Sequence, residues 1–223
     1  MQSSEAEKID VALKRRVGRP NAREAEQKHE AMLEAALEEF SRHGFHGASV
    51  RAIAERAGLS TRTLYNRYPD KVALFEACLE MSAVKHHFPA GGTGTLHEQL
   101  IRYAIHMSER LNHDRQVRLA RVIFRECTSF PQLEKVSRRQ FERFQLEPVQ
   151  IILAAHGFSQ EQAQELANFY VTLLFRRWQN RVIYNERAMT VAQIKANAET
   201  VTSLFLNGAC AMLNQGQDAQ QGT

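Results

Sequence analysis

Cysteine is scarce in this chain of 223 residues: Cys78, Cys127 and Cys210 are an odd number at wide spacing, with no C-x-x-C pair. They support neither a disulfide framework nor a zinc site, and they fit a reducing compartment. Each sits in an apolar helical context, where a buried, inert thiol is expected. A run of about 18 apolar residues that could span a bilayer is missing, and the polar start lacks an apolar signal core. A cytoplasmic protein with no membrane partner is therefore expected.

Signatures of catalysis are missing as well. The sequence has no G-x-S-x-G, H-E-x-x-H or G-x-x-x-x-G-K-[ST]. Gly92-Thr93-Gly94 follows helical patterning rather than a strand, so it is read as loop and not as a dinucleotide cradle. These absences argue against an enzyme, and no cofactor is expected. Among the histidines, His86 and His87 are adjacent and would point about 100° apart on a helix, while His97, His106 and His113 lack the i, i+4 spacing of a helical metal site. No metal is expected either.

Basic charge is modest on average but unevenly placed. A formal charge of +4 and a pI near 9.1 do not by themselves announce a nucleic-acid binder. Between Lys14 and Arg23, however, five basic residues meet no acidic one, and from Arg42 to Lys71 six basic residues face two acidic ones. Such segments supply the sequence-independent part of DNA affinity.

Between them lies the most informative stretch. Residues 49–71 read as a short helix, a glycine turn, a second short helix and the start of a third, the layout of a DNA-reading helix-turn-helix. Ser49 and Ser60 can each cap a helix by accepting a free backbone N–H. Gly58 stands where the first helix must stop and where a positive φ is common. Ile53, Ala57, Leu59 and Leu64 can share a small core, with Ala54 permitting close approach. The remaining face carries Arg51, Thr61, Arg62, Thr63, Tyr65, Asn66 and Arg67, donors suited to phosphates and base edges.

The rest of the chain reads as all-α. Residues 1–22 form a basic, flexible arm, 23–70 the helix-turn-helix domain, 71–88 a connecting helix capped by Asp70, 89–95 a loop, 96–214 a helical bundle and 215–223 a disordered tail. In the first helix Leu33, Ala36, Leu37 and Phe40 recur at helical spacing, and Gly44 closes the segment. From Val191 to Met212 apolar residues recur at steps of three and four. Together with the segment from 160 to 185, this last helix carries more apolar surface than one small bundle hides, and a second copy of the chain is the natural cover.

Over residues 29–80 the sequence resembles the tetracycline-repressor (TetR) family of bacterial transcriptional regulators. The match rests on Leu33-Glu-Ala-Ala-Leu-Glu-Glu-Phe40, Gly44-Phe45, Ser49-Val-Arg-Ala-Ile-Ala54, Ala57-Gly-Leu-Ser60, Thr63-Leu-Tyr-Asn-Arg-Tyr68 and Asp70-Lys71 before Leu74-Phe75. The later helices match only in order and length. The resemblance implies an N-terminal three-helix DNA-binding domain joined by a connecting helix to a C-terminal ligand-binding and dimerisation bundle. It further implies a homodimer, joined through its two C-terminal helices, that binds a double-stranded palindromic operator in the bacterial cytosol, at the nucleoid, and lets go when a small molecule enters.

Carried over by position, Thr63, Tyr65 and Lys71 match phosphate-holding sites, and Arg51, Thr61, Arg62 and Asn66 match sites that face bases or sugars. Arg16 and Arg19, with Gly18 and Pro20, resemble an arm that enters the minor groove. For the inducer, expected to be apolar or aromatic, the residues named by the resemblance are Tyr103, Met107, Phe124, Phe144, Phe169 and Trp178. The alternative reading is an architectural DNA-binding protein that ignores ligands.

Overall fold

The computed structural model describes residues 22–84 and 87–221. Among them the secondary structure is entirely helical: α1 (Ala22–Gly47), α2 (Val50–Arg56), α3 (Thr61–Arg67), α4 (Lys71–Val84), α5 (Leu96–Leu111), α6 (Asp114–Glu126), α7 (Pro131–Phe141), a π-helical turn (Glu142–Leu146), α8 (Glu147–Ala155), α9 (Gln160–Tyr184) and α10 (Val191–Gln221). The first three build an N-terminal helix-turn-helix head, α4 leads out of it, and α5–α10 form the C-terminal helical body. Arg16 and Arg19 lie outside the described residues, as does the side chain of Cys210.

The head's core contains Leu37, Phe40 and Phe45 of α1, Ile53 of α2, Leu64 of α3 and Phe75 of α4. Its rings pack edge to face, Phe40 against Phe75 at 5.0 Å and Phe45 against Phe75 at 5.6 Å, a geometry that favours the positive ring edge over the negative ring face. The same core continues into the body through Leu119 and Val122 of α6 and Leu133 and Val136 of α7. Head and body are therefore one packed unit along α1, α4, α6 and α7. Ion pairs cross the same seam, Arg115 with Glu34, Arg118 with Glu38, Arg139 with Glu76 and Arg143 with Glu80.

A second core joins α5, α8, α9 and α10. Tyr170 is fully buried there and its hydroxyl donates to the Leu100 carbonyl at 2.9 Å and meets the Thr202 hydroxyl at 2.8 Å, so the polar tip is satisfied. Thr95 and Ser159 open α5 and α9 with reciprocal capping boxes.

Three local details bear on the sequence expectation. Gly44 closes the first helical run as expected: at φ 75° and ψ 175° it breaks the helical path, and a separate short turn follows to Gly47. From Pro131 to Ala155 the helical path runs on without a gap but widens into the π-turn just before Pro148, which has no N–H to give the preceding turn. At the C-terminus α10 runs on to Gln221 rather than giving way to a tail after 214; four of residues 215–221 are Gln, a good helix former, and no proline interrupts the stretch.

Candidate nucleic-acid interface and ligand cavity

The turn between α2 and α3 is built from local hydrogen bonds. Ser49 Oγ accepts the Ala52 N–H at 3.3 Å and Ser60 Oγ accepts the Thr63 N–H at 3.0 Å. At the end of α2 the Gly58 N–H reaches the Glu55 carbonyl and the Leu59 N–H the Ala54 carbonyl, at 3.1 and 2.9 Å. That is a Schellman closure, and it needs the positive φ of 66° that Gly58 adopts. A buried carboxylate holds the entry: Glu39 of α1 accepts the Ser49 N–H at 3.2 Å and pairs with Arg56 at 3.6 Å.

With Ile53, Ala54 and Leu64 buried, the other face of α3 is turned to solvent. Thr61, Arg62, Thr63, Tyr65, Asn66 and Arg67 are all exposed, as are Ser49 and Ser60 at the caps and Arg51 on α2. Besides the capping serines, and the Thr63 hydroxyl that lies 2.7 Å from that of Ser60, two cations among the expected DNA contacts are engaged within the protein. Arg51 is tied to Glu55 at 2.9 Å, so contact with a base requires that pair to open. Lys71 turns its ammonium back to the carbonyls of His46 at 2.9 Å and Ala48 at 3.3 Å and lies 5.0 Å from the Phe45 ring centre. Burial lowers its pKa, opposed by the nearby Glu126 carboxylate. One of its three N–H donors remains for a phosphate. Tyr68 packs under the head, its hydroxyl 2.6 Å from His29 Nε2.

A half-open cavity of about 430 Å³ is walled by α4–α7, the π-turn and α9. Of the six residues expected there, Phe124, Phe144 and Trp178 line it, while Tyr103, Met107 and Phe169 do not. Tyr103 and Met107 are core, fully buried, with the Tyr103 hydroxyl donating to the Gln145 carbonyl at 2.7 Å. Phe169 is 54% exposed on α9, outside this cavity. Helical spacing identified the apolar faces; it does not separate a filled inner face from one that borders a void or the solvent.

Glu126, at the end of α6, was not singled out as a site by its local pattern. Its Oε1 accepts the Phe45 N–H at 3.0 Å and its Oε2 the His46 N–H at 2.8 Å, just after the Gly44 break. Burial opposes its charge, but the bond from Arg125 at 2.9 Å and the two amides outweigh that and hold its carboxyl below the usual range. Ile123 and Cys127 flank it in sequence and both line the cavity. Arg110 was missed as well: it lies three residues after Met107 on an apolar stripe and is buried in the cavity wall.

Cys78 is buried, its thiol donating to the Leu33 carbonyl at 3.5 Å, and burial pushes its pKa well up, as an inert thiol requires. Among the described residues no cluster of three or more potential metal ligands occurs, and no helix is long and apolar enough to cross a membrane.

Comparison with known proteins agrees with this geometry. Residues 32–78 match the family described as bacterial regulatory proteins, tetR family. The HTH-type transcriptional regulator RutR of Escherichia coli is 45% identical over 58 residues, which are 26% of this chain and 27% of RutR. The matched segment thus spans about a quarter of that relative's length. A TetR-family regulator from Mesorhizobium loti superposes with a TM-score of 0.65 at 20% identity, over 84% of this chain and 98% of that one. A TetR-like regulator from a Rhodococcus species does so with a TM-score of 0.60 at 25% identity, over 85% and 100%. Residues 32–78 thus carry the segment that defines the bacterial regulatory proteins of the tetR family, and the fold around them is the one shared by TetR-family regulators.

Proposed function

We propose that the chain is a transcriptional repressor that binds a palindromic DNA operator as a homodimer and is released from it by a small molecule. The observation that carries this reading is the division of α3: Leu64 is buried, while every other side chain of the helix is exposed. A helix with one buried side chain and a face of hydroxyl, amide and guanidinium donors suits the major groove.

Dimerisation is supported by apolar side chains without cover on the last two helices. Phe169 and Leu173 on α9 and Leu204 on α10 are 54%, 46% and 64% exposed. Burying such a face between two copies would place two α3 helices on one side of the assembly, as an inverted repeat requires.

Induction is supported by the path from cavity to head. Leu79 and Ala83 of α4 line the cavity, as do Ile123 and Cys127 around Glu126. A ligand that shifts α4 or α6 alters the Glu126 hold on Phe45 and His46 and so the position of the head. Full switching from 1:99 to 99:1 needs about 5.5 kcal/mol of ligand preference for the released state.

The test is selection of bound fragments from a randomised DNA pool, followed by sequencing. The expected result is a single inverted repeat with half-sites about 34–36 Å apart, one helical turn. Enrichment without a motif favours architectural binding, and no enrichment overturns the reading.

A further inference from the structure

Two arginines are buried among the described residues, and they differ in how they are compensated. Arg181, 9% exposed, pairs with Asp114 and donates to the Asn112 carbonyl. Arg110, 8% exposed, has neither: its Nε and Nη1 are buried with no hydrogen-bond partner, and no carboxylate among the described residues pairs with it. A guanidinium taken out of water without a counter-charge is strongly disfavoured. Desolvation accordingly lowers the Arg110 pKa, with the Tyr103 hydroxyl acting the other way.

Arg110 lines the cavity, and so do three further side chains with unpartnered buried polar atoms, Ser137 at Oγ, Gln140 at Oε1 and Trp178 at Nε1. The other charged residues of the wall, Glu134 and Arg138, neutralise each other at 2.9 Å. One positive charge is therefore left over, facing a lining that is otherwise rich in Phe124, Phe144, Phe175 and Trp178.

From this imbalance we infer that the cavity takes an organic anion, a carboxylic acid on an aromatic or alkyl body, with Arg110 as the group that receives the carboxylate. The inference rests on the reading of the cavity as the inducer site and specifies its chemistry. It also revises the sequence expectation of an apolar or aromatic inducer, because an uncharged ligand leaves Arg110 as it is. A volume near 430 Å³ suits a body of drug-like size. The carboxylate supplies what the wall lacks, two acceptor oxygens in the planar fork that a guanidinium matches.

Trp178 is the only tryptophan of the chain, so its fluorescence reports on this wall. The experiment titrates the full-length protein with naphthoate and its primary amide, and with octanoate and its primary amide. In the wild type each carboxylate is expected to bind at least about ten-fold more tightly than its amide, the worth of one charge-assisted hydrogen bond. In Arg110→Met that preference is expected to fall to within about two-fold while the amides bind as before. Amides that bind the wild type as tightly as the acids would overturn the anion but leave the cavity as a ligand site. A preference that survives in Arg110→Met would overturn the role of Arg110. Absence of any response from all four probes would overturn the inducer cavity itself.

The melting temperature of Arg110→Met gives an independent check. Replacing an uncompensated buried charge by an apolar chain of similar length is expected to raise it by a few degrees. A fall of that size would mean that the guanidinium holds the fold together, and would contradict the inference.

Discussion

Glu126 and Phe45 are separated by 81 positions in the chain, yet the carboxylate of one accepts the backbone N–H of the other at 3.0 Å. The contact has a local cause at each end. Gly44 turns the chain out of the helical path, which exposes the amides of Phe45 and His46 instead of spending them inside α1. Glu126 ends α6 beside them, and Phe130 stacks edge-on against Phe45 at 5.1 Å. The result is a joint between the head that presents α3 and the helix that lines the cavity.

Removing the carboxylate tests that joint. Glu126→Ala leaves a buried Phe45 amide without an acceptor and is expected to cost about 1–3 kcal/mol of stability, measured by urea denaturation. Glu126→Gln keeps an acceptor but no charge, and its deficit depends on pH. Folding lowers the carboxyl pKa, so the charge contributes fully above the unfolded value of 4.5 and is lost as pH falls through the lower folded value. The stability gap between wild type and Glu126→Gln should therefore be present at neutral pH and close in acid. A gap that widened on acidification would contradict the assignment.

Two glycines of the head make a matched comparison. Gly44 has φ 75° and ψ 175°, a region nearly confined to glycine, and an added Cβ would collide with the Arg125 and Glu126 side chains. Gly58 has a positive φ too, but open space around it. Gly44→Ala is expected to lose at least the roughly 1–3 kcal/mol of such backbone strain, and Gly58→Ala about 1 kcal/mol, by thermal unfolding. Equal losses would mean that the joint tolerates displacement.

Tyr65 and Lys71 are both proposed to hold phosphates, but their surroundings differ. Tyr65 is exposed and has no role in the core, whereas Lys71 joins α4 to the end of α1. Tyr65→Ala should weaken operator binding by about 1–3 kcal/mol and leave the melting temperature unchanged. Lys71→Ala should lower both. Fluorescence anisotropy and calorimetry on the same preparations separate the two, and an unaltered affinity for Tyr65→Ala removes it from the interface.

The exposed apolar face of α9 and α10 predicts its own failure mode. A charge placed at Phe169 or Leu204, as in Phe169→Glu or Leu204→Glu, should convert a dimer to a monomer in sedimentation velocity, because an unpaired carboxylate cannot be buried cheaply. Operator affinity should fall with it. A dimer that persists in both variants would place the interface elsewhere.

What was legible in the sequence was local. Ser49, Gly58 and Ser60 act on backbone groups within a few residues of themselves, so the helix-turn-helix could be read from order alone. Glu126 could not be read that way, because its acceptor role is created by a glycine and two amides far away in sequence. The cavity was half legible. Periodicity finds inward faces, but Tyr103 and Met107 fill theirs while Phe124, Phe144 and Trp178 border a void, and the difference depends on how neighbouring helices pack. Arg110 did leave a signal, a charge three residues after Met107 and seven after Tyr103 on a face meant for the core.

The most direct test of the account compares affinity for the selected inverted repeat with affinity for a scrambled duplex of the same length, across a range of salt concentrations. A sequence-reading dimer should prefer the repeat by at least about 10³-fold at physiological salt, with both affinities falling as salt rises. Equal affinity for the two duplexes at every salt concentration would contradict it, and would leave a protein that holds DNA by its phosphates alone.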